Sequence, residues 1–197
     1  MRTIAWDVDD VLNDFQREWF DRAWLPGHPH SPVRSYSALT ENPPDQILGV
    51  GREEYLESVD GFRRAVFEAP LRPSPAALAW FERHGTSFRH VVLTAIPRYA
   101  SGFWAQWVLD NFGRWIQVFA CVPSPRPSDG GPPTDATKGD LLRWMANVNV
   151  LVDDNPGNIE AAESLGLKGF LYPRPWNGQR LSAESLLEQV SAQALAG

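Results

Sequence analysis

The sequence predicts an α/β fold: a parallel sheet flanked by helices, with a small helical cap inserted after the first strand. Short apolar runs alternate with stretches of helical period, the pattern of strands joined by helical crossovers. Runs such as HVVLTA at His90–Ala95 and VNVLV at Val148–Val152 are apolar almost throughout, as strands covered on both faces must be. Three of the runs end in polar residues: Asp7 with Asp9, then Thr94, then Asp153 with Asp154. Ligands of open parallel sheets gather outside the carboxyl ends of the strands, so these residues are expected on one edge.

Thr3–Trp6 reads as the first strand, with an acidic loop behind it. Val11, Phe15, Trp19 and Phe20 then recur at helical spacing up to about Leu25, and PGHPHSP at Pro26–Pro32 breaks the pattern. No strand is legible from there to Ala69. Short helices are expected at Arg52–Val59 and Gly61–Phe67. In Pro70–Gly85, Ser74 suits an N-cap, Pro75 the first helical position and Gly85 the stop. His90–Ala95 is a strand, Tyr99–Phe112 a helix and Gln117–Val122 a strand, followed by a Pro/Gly/Ser-rich loop over Pro123–Pro133. Thr137–Met145 is helical, Val148–Asp154 a strand, and Asn158–Leu165 a helix closed by Gly166. A last strand at Gly169–Tyr172 and a helix at Ala183–Ala194 complete the series. The predicted core is therefore 1–14 with 70–197, and the cap is 15–69.

Bulk composition narrows the function. The 197 residues are 43% hydrophobic and 21% charged, enough apolar content for a packed core. A net charge of -6 with scattered basic residues argues against a nucleic-acid polymer as partner, which needs a clustered positive footprint. The single cysteine, Cys121, allows no internal disulfide and fits a reducing compartment. No apolar run approaches the roughly 18 residues of a membrane span, and MRTIAWDVDD lacks a signal-peptide core, so no membrane partner is expected and the cytoplasm is the expected location.

The acidic clusters demand an explanation. Residues two apart on a strand point the same way roughly 6.5–7 Å apart, so Asp7 and Asp9 can flank a reacting group. Bringing them together with Asp153 and Asp154 costs several kcal/mol unless a divalent cation turns the repulsion into ligation. Oxygen ligands alone favour Mg²⁺ over zinc. A lysine at the same edge, Lys138 in DATKGDLL, would neutralise further anionic charge.

DVDDVLNDF, then LTA, then Lys138, then VLVDDNPGN resembles, in this order, the four motifs of the haloacid dehalogenase-like hydrolase superfamily. The resemblance spans residues 4 to about 172 and implies a Rossmann-like core. It also implies a Mg²⁺-dependent phosphatase acting through an aspartyl-phosphate. By this resemblance Asp7 is the nucleophile and Asp9 the general acid and base, so a bell-shaped pH–rate profile is expected. Thr94, Ala95 and Lys138 bind the phosphoryl group, and Asp7, Asp9, Asp153 and Asp154 form the metal site. Which of Asp153 and Asp154 touches the ion stays open. A signalling receiver domain shares this chemistry, but there the lysine follows the acidic pair and no long insertion occurs.

Two departures from the family pattern stand out. Asp10 replaces the glycine that often follows the second aspartate, and Asn155 and Asn158 stand where a further carboxylate often lies. The alternative function is accordingly a non-catalytic protein that binds a phosphorylated ligand or partner. Within the superfamily, DVDDVLNDF, EAPLRPSPAAL and VDDNP resemble the 5'(3')-deoxyribonucleotidase group. That implies a small phosphorylated metabolite or nucleotide as partner, with Phe15 stacking on the base and Trp19, Trp24 and Phe62 adding to the surface. Exposed aromatics leave homodimer pairing open.

Overall fold

The computed structural model of the protein describes residues 1–124, 126 and 134–195. Five strands, β1 (Thr3–Trp6), β2 (Arg89–Ile96), β3 (Ile116–Pro123), β4 (Val148–Asp153) and β5 (Lys168–Leu171), form one parallel sheet in the order β3-β2-β1-β4-β5. The chain builds β1 to β3 on one side, then crosses back to add β4 and β5 on the other. The order reverses beside β1, the position where such sheets open a crevice.

Alternation along the strands sorts the core into two layers. Trp6, Val92, Val150 and Val152 face one cluster; Ala5, Leu93 and Leu151 face another with Leu141, Leu142, Ile159 and Ala162. The first layer is covered by α5 (Pro75–His84), α6 (Ser101–Phe112) and α9 (Ala183–Leu195), the second by α7 (Lys138–Trp144) and α8 (Pro156–Ser164). Polar groups enter the first layer too: buried His90, for one, accepts from the Trp6 indole at 3.0 Å and meets the Gly85 carbonyl at 2.8 Å.

The segment predicted as a cap is helical. It holds α1 (Phe15–Trp19) running through a π-turn, Phe20–Trp24, into α2 (Leu25–Gly27), then α3 (Asp45–Leu48) and α4 (Arg52–Ala65). It leaves and rejoins the core at one point: Asn13 bridges Pro73, and Ser74 N–H donates to Leu12 at 2.7 Å.

Several expectations need correction. The helix foreseen from Val11 begins at Phe15, because the N–H groups of Val11, Leu12 and Asn13 all turn back to the Val8 carbonyl. The two short helices around Gly61 are one helix, α4. An interior glycine costs about 1 kcal/mol but does not by itself end a helix. Gly85 follows α5 with φ −57°, so it is not a left-handed stop; a Cβ there would lie 2.6 Å from Trp115. Ser74 does cap α5, accepting from Ala77 N–H. Trp19 and Trp24 are fully buried and Phe62 nearly so, which makes them core rather than an open stacking surface. The Pro/Gly/Ser-rich loop predicted over Pro123–Pro133 lies outside the described residues, apart from Pro123, Ser124 and Arg126.

Candidate active site

β1 continues one residue beyond Trp6, since Asp7 N–H donates to the Val152 carbonyl at 3.0 Å. Trp6 pairs with Val92 on one side and Val152 on the other, so the next residues, Asp7 and Asp153, stand level at the sheet edge. The loop then turns sharply at Asp10, whose φ of 65° is left-handed. Aspartate is among the few non-glycine residues that tolerate this region. The Asp10 carboxylate accepts from Gln16 N–H, and Asn13 Oδ1 accepts from the N–H groups of Asp10 and Phe15. Arg174 ties the loop to the segment after β5, donating to the Asp10 carbonyl at 2.6 Å and to the Asp14 carboxylate at 2.7 Å. The replacement of glycine by Asp10 therefore keeps the turn tight. Burial pushes the Asp10 carboxyl up to about 7, against the opposing pull of Arg174.

Lys138 opens α7, which Thr137 and Asp140 cap reciprocally. Its buried ammonium reaches Asp7 Oδ2 at 2.7 Å and Asp153 Oδ2 at 2.6 Å. Burial alone would lower its pKa, but Asp153 and Asp7 outweigh that and raise it. Asp153 is fully engaged, its other oxygen accepting from Asn155 N–H at 2.9 Å and Asn158 Nδ2 at 3.0 Å. The asparagines that stand where a carboxylate was expected thus orient Asp153. Asp7 is pushed up to about 6 by burial, with Lys138 and the Thr94 hydroxyl pulling the other way.

Asp154 completes the cluster. One oxygen from each of Asp7, Asp153 and Asp154 lies within 4.8 Å of the others, all three residues being buried. Asp154 Oδ2 accepts from the Trp176 indole at 2.9 Å, and its other oxygen has no hydrogen bond among the described residues. Burial, then Asp153 and Asp7, raises its pKa well above the carboxylate range. Three carboxylates against one ammonium leave a deficit of positive charge. That donor set fits a hard divalent cation, with Asp154 and Asp7 offering oxygens more freely than Asp153.

Asp9 departs from this cluster. Its Oδ2 pairs with Arg63 Nη1 of α4 at 2.7 Å, and Oδ1 accepts from Asn13 Nδ2 at 3.3 Å. The Arg63 guanidinium lies 4.1 Å from the Phe15 ring centre. Phe15 is only 2% exposed and meets Phe62 and Trp104 edge-on, so its ring is enclosed. Asp7, Asp9, Phe15, Arg63, Ala95 and Lys138 all line one cavity of ≈ 230 Å³, while Thr94 is buried behind it.

Sequence reasoning missed Arg63, Asn13, Arg174 and Trp176. For Arg63 a signal existed: Tyr55, Val59 and Phe62 mark the buried face of α4, and Arg63 follows at the same spacing. Splitting the helix at Gly61 hid that register. Nothing local distinguishes Arg174 or Trp176, which act across more than 20 residues.

No protein-family model matches the chain, and no curated protein matches it. Solved structures do. A haloacid dehalogenase-like family hydrolase from Streptococcus pneumoniae is similar over 100% of this chain and 97% of its own, at 14% identity and a TM-score of 0.55. A predicted phosphatase from Clostridium acetobutylicum is similar over 98% of each chain, at 13% identity and a TM-score of 0.60. Protein Tyrosine Kinase A from Mycobacterium tuberculosis is similar over 92% of this chain and 87% of its own, at 16% identity and a TM-score of 0.61. At such identities the likeness is one of fold, the haloacid dehalogenase-like, Rossmann-like α/β fold. Structures titled a phosphatase and a kinase share it, so the reaction must be argued from the residues.

Proposed function

We propose that the chain is a Mg²⁺-dependent phosphatase that hydrolyses small phosphomonoesters through an aspartyl-phosphate on Asp7. One observation carries this reading: the Asp7–Asp153–Asp154 cluster, short of positive charge with Lys138 bridging Asp7 and Asp153, borders a polar cavity. A phosphate ester brings a phosphorus atom to Asp7. A carboxylate oxygen of Asp7 attacks it, the bond to the leaving oxygen breaks, and Asp9 gives that oxygen its proton. Asp9 then takes a proton from water, whose oxygen attacks the phosphorus and returns Asp7 as a carboxylate. Lys138, Thr94 and the Ala95 backbone hold the phosphoryl oxygens and offset their charge. Asp7, Asp154 and the Asp9 carbonyl would hold the metal, while Asp153 fixes Lys138. A bound divalent ion supplies charge neutralisation at the transferring group.

Segment 15–69 serves in this reading as the cap that shields the cavity from water. The narrower expectation, a deoxynucleoside monophosphate with its base on Phe15, requires the Arg63 guanidinium to leave that ring. The same Arg63–Asp9 pair favours the second reading, a binder of phosphorylated ligands without turnover, because it engages the proposed acid. An assay over phosphorylated metabolites, deoxynucleotides and an aryl phosphate decides. Hydrolysis with Mg²⁺, abolished by chelator and by Asp7→Asn, is the expected result. Binding without hydrolysis across the panel would instead establish the non-catalytic reading.

A further inference from the structure

Three arginines line the cavity: Arg52, Arg63 and Arg126. Arg126 directs Nε and Nη2 to the two oxygens of Asp60 at 2.7 and 2.9 Å and Nη1 to Ser124, so its fork is filled. Arg52 is exposed and bonded to Asp45 at 2.9 Å. Arg63 differs. It is buried, and among the described residues only Nη1 is bonded and Nε has no hydrogen-bond partner. The plane of its guanidinium rests over Phe15, with Trp104 at 6.0 Å, so its orientation is set. Asp60, one turn earlier on α4, is clamped by Arg126, which fixes the helix that carries it.

A scissile phosphate already has Lys138, Thr94 and a metal to offset its charge. Arg63 is a further cation on the cavity wall; the proposed acid takes its Nη1, which leaves its Nε–Nη2 edge unbonded among the described residues. That edge is the one with which arginine grips a carboxylate or phosphate by two parallel hydrogen bonds. From this we infer that Arg63 is a specificity-determining residue: it binds a second acidic group on the substrate, which is therefore a small ester carrying an anionic group besides its phosphate, such as a phosphorylated carboxylic acid. The inference rests on the phosphatase reading of the site and names its substrate class. A donor buried without a partner is costly, so an acceptor delivered by the right ligand is favoured there.

The test compares 2-phosphoglycolate with 2-hydroxyethyl phosphate, which differ in a carboxylate against a hydroxymethyl group. Wild-type protein with Mg²⁺ should prefer the first by at least about tenfold in kcat/KM, and Arg63→Met should bring the ratio close to one. Arg63→Lys keeps the charge without the fork and should restore only part of it. Calorimetric titration of both esters into the Asp7→Asn protein reads the same preference without turnover. A preference in binding with hydrolysis absent would leave this inference standing and overturn the hydrolytic reading. Equal treatment of the two esters, binding of neither, or a preference that survives Arg63→Met in a variant shown folded by circular dichroism would overturn it.

Discussion

Trp6 and Asp7 are neighbours on β1, both buried, and the polar groups around them are settled in opposite ways. At Trp6 the indole donates to His90, and His90 donates in turn to the Gly85 carbonyl, so a neutral chain closes with every group paired. Burial pushes His90 down to about 4, which keeps that chain neutral. At Asp7, one residue on, burial pushes the carboxyl up to about 6, Asp153 shares its single ammonium, and Asp154 lies beside both. Most polar groups buried for structure are paired. The cluster at Asp7 sets three buried carboxylates against one ammonium, a deficit that protons or a bound cation can relieve, and this contrast marks it as a candidate site.

Breaking the Asp7 side of the contrast should have the larger effect. Lys138→Met removes the one cation between Asp7 and Asp153 and leaves two buried carboxylates facing each other. A loss of about 3–5 kcal/mol is expected in urea unfolding of metal-free protein. A loss under 1 kcal/mol would mean that the cluster relaxes into solvent and is not held in place by Lys138.

Filling the deficit sharpens the contrast from the other direction. Mg²⁺ at about a hundred times its Kd should stabilise the fold by about 2.7 kcal/mol. Asp154→Asn, which removes the least engaged carboxylate, should abolish most of that shift, as read by thermal unfolding with and without the ion. A wild-type melting curve unmoved by millimolar Mg²⁺ would end the metal assignment.

The paired side titrates differently. His90 is about 4 when folded and 6.5 when unfolded, so between these values the unfolded chain holds more protons and stability rises with pH. Its contribution is full above 6.5 and is lost as pH falls through the window. Roughly 2 kcal/mol should be gone by about pH 5. His90→Asn starts from lower stability but should lose this part of the slope. An unchanged slope would place the acid sensitivity elsewhere.

The sheet was legible in the sequence because fully covered strands must be apolar and their carboxyl ends must not be, and no other element of the chain combines the two. Asp7, Thr94, Lys138, Asp153 and Asp154 were expected at one edge by that rule together with the motif resemblance, and the structure brings them together there. Arg63 was not, because its place beside Asp9 depends on α4 lying against the acidic loop, a packing fact that 54 residues of separation do not reveal. Helix starts were misplaced wherever a loop claimed the backbone donors, as Val8 does before α1. The N-cap was better foreseen: Ser74 acts on the Ala77 N–H, only three residues away.

The smallest effect concerns Asp10, three residues beyond Asp7. Its left-handed φ of 65° is a cost that glycine avoids and alanine bears in full, by about 1–2 kcal/mol. Its carboxylate repays part of that cost by accepting from Gln16 N–H, but it also adds charge beside Asp9 and Asp14. Asp10→Gly therefore gives up the acceptor and gains the relaxed turn, and should stay within about 1 kcal/mol of wild type. Asp10→Ala gives up both and should fall about 1 kcal/mol below the glycine variant in chemical unfolding. Equal stability of the alanine and glycine variants would show that the turn is unstrained, and that Asp10 is there for its charge rather than for its backbone.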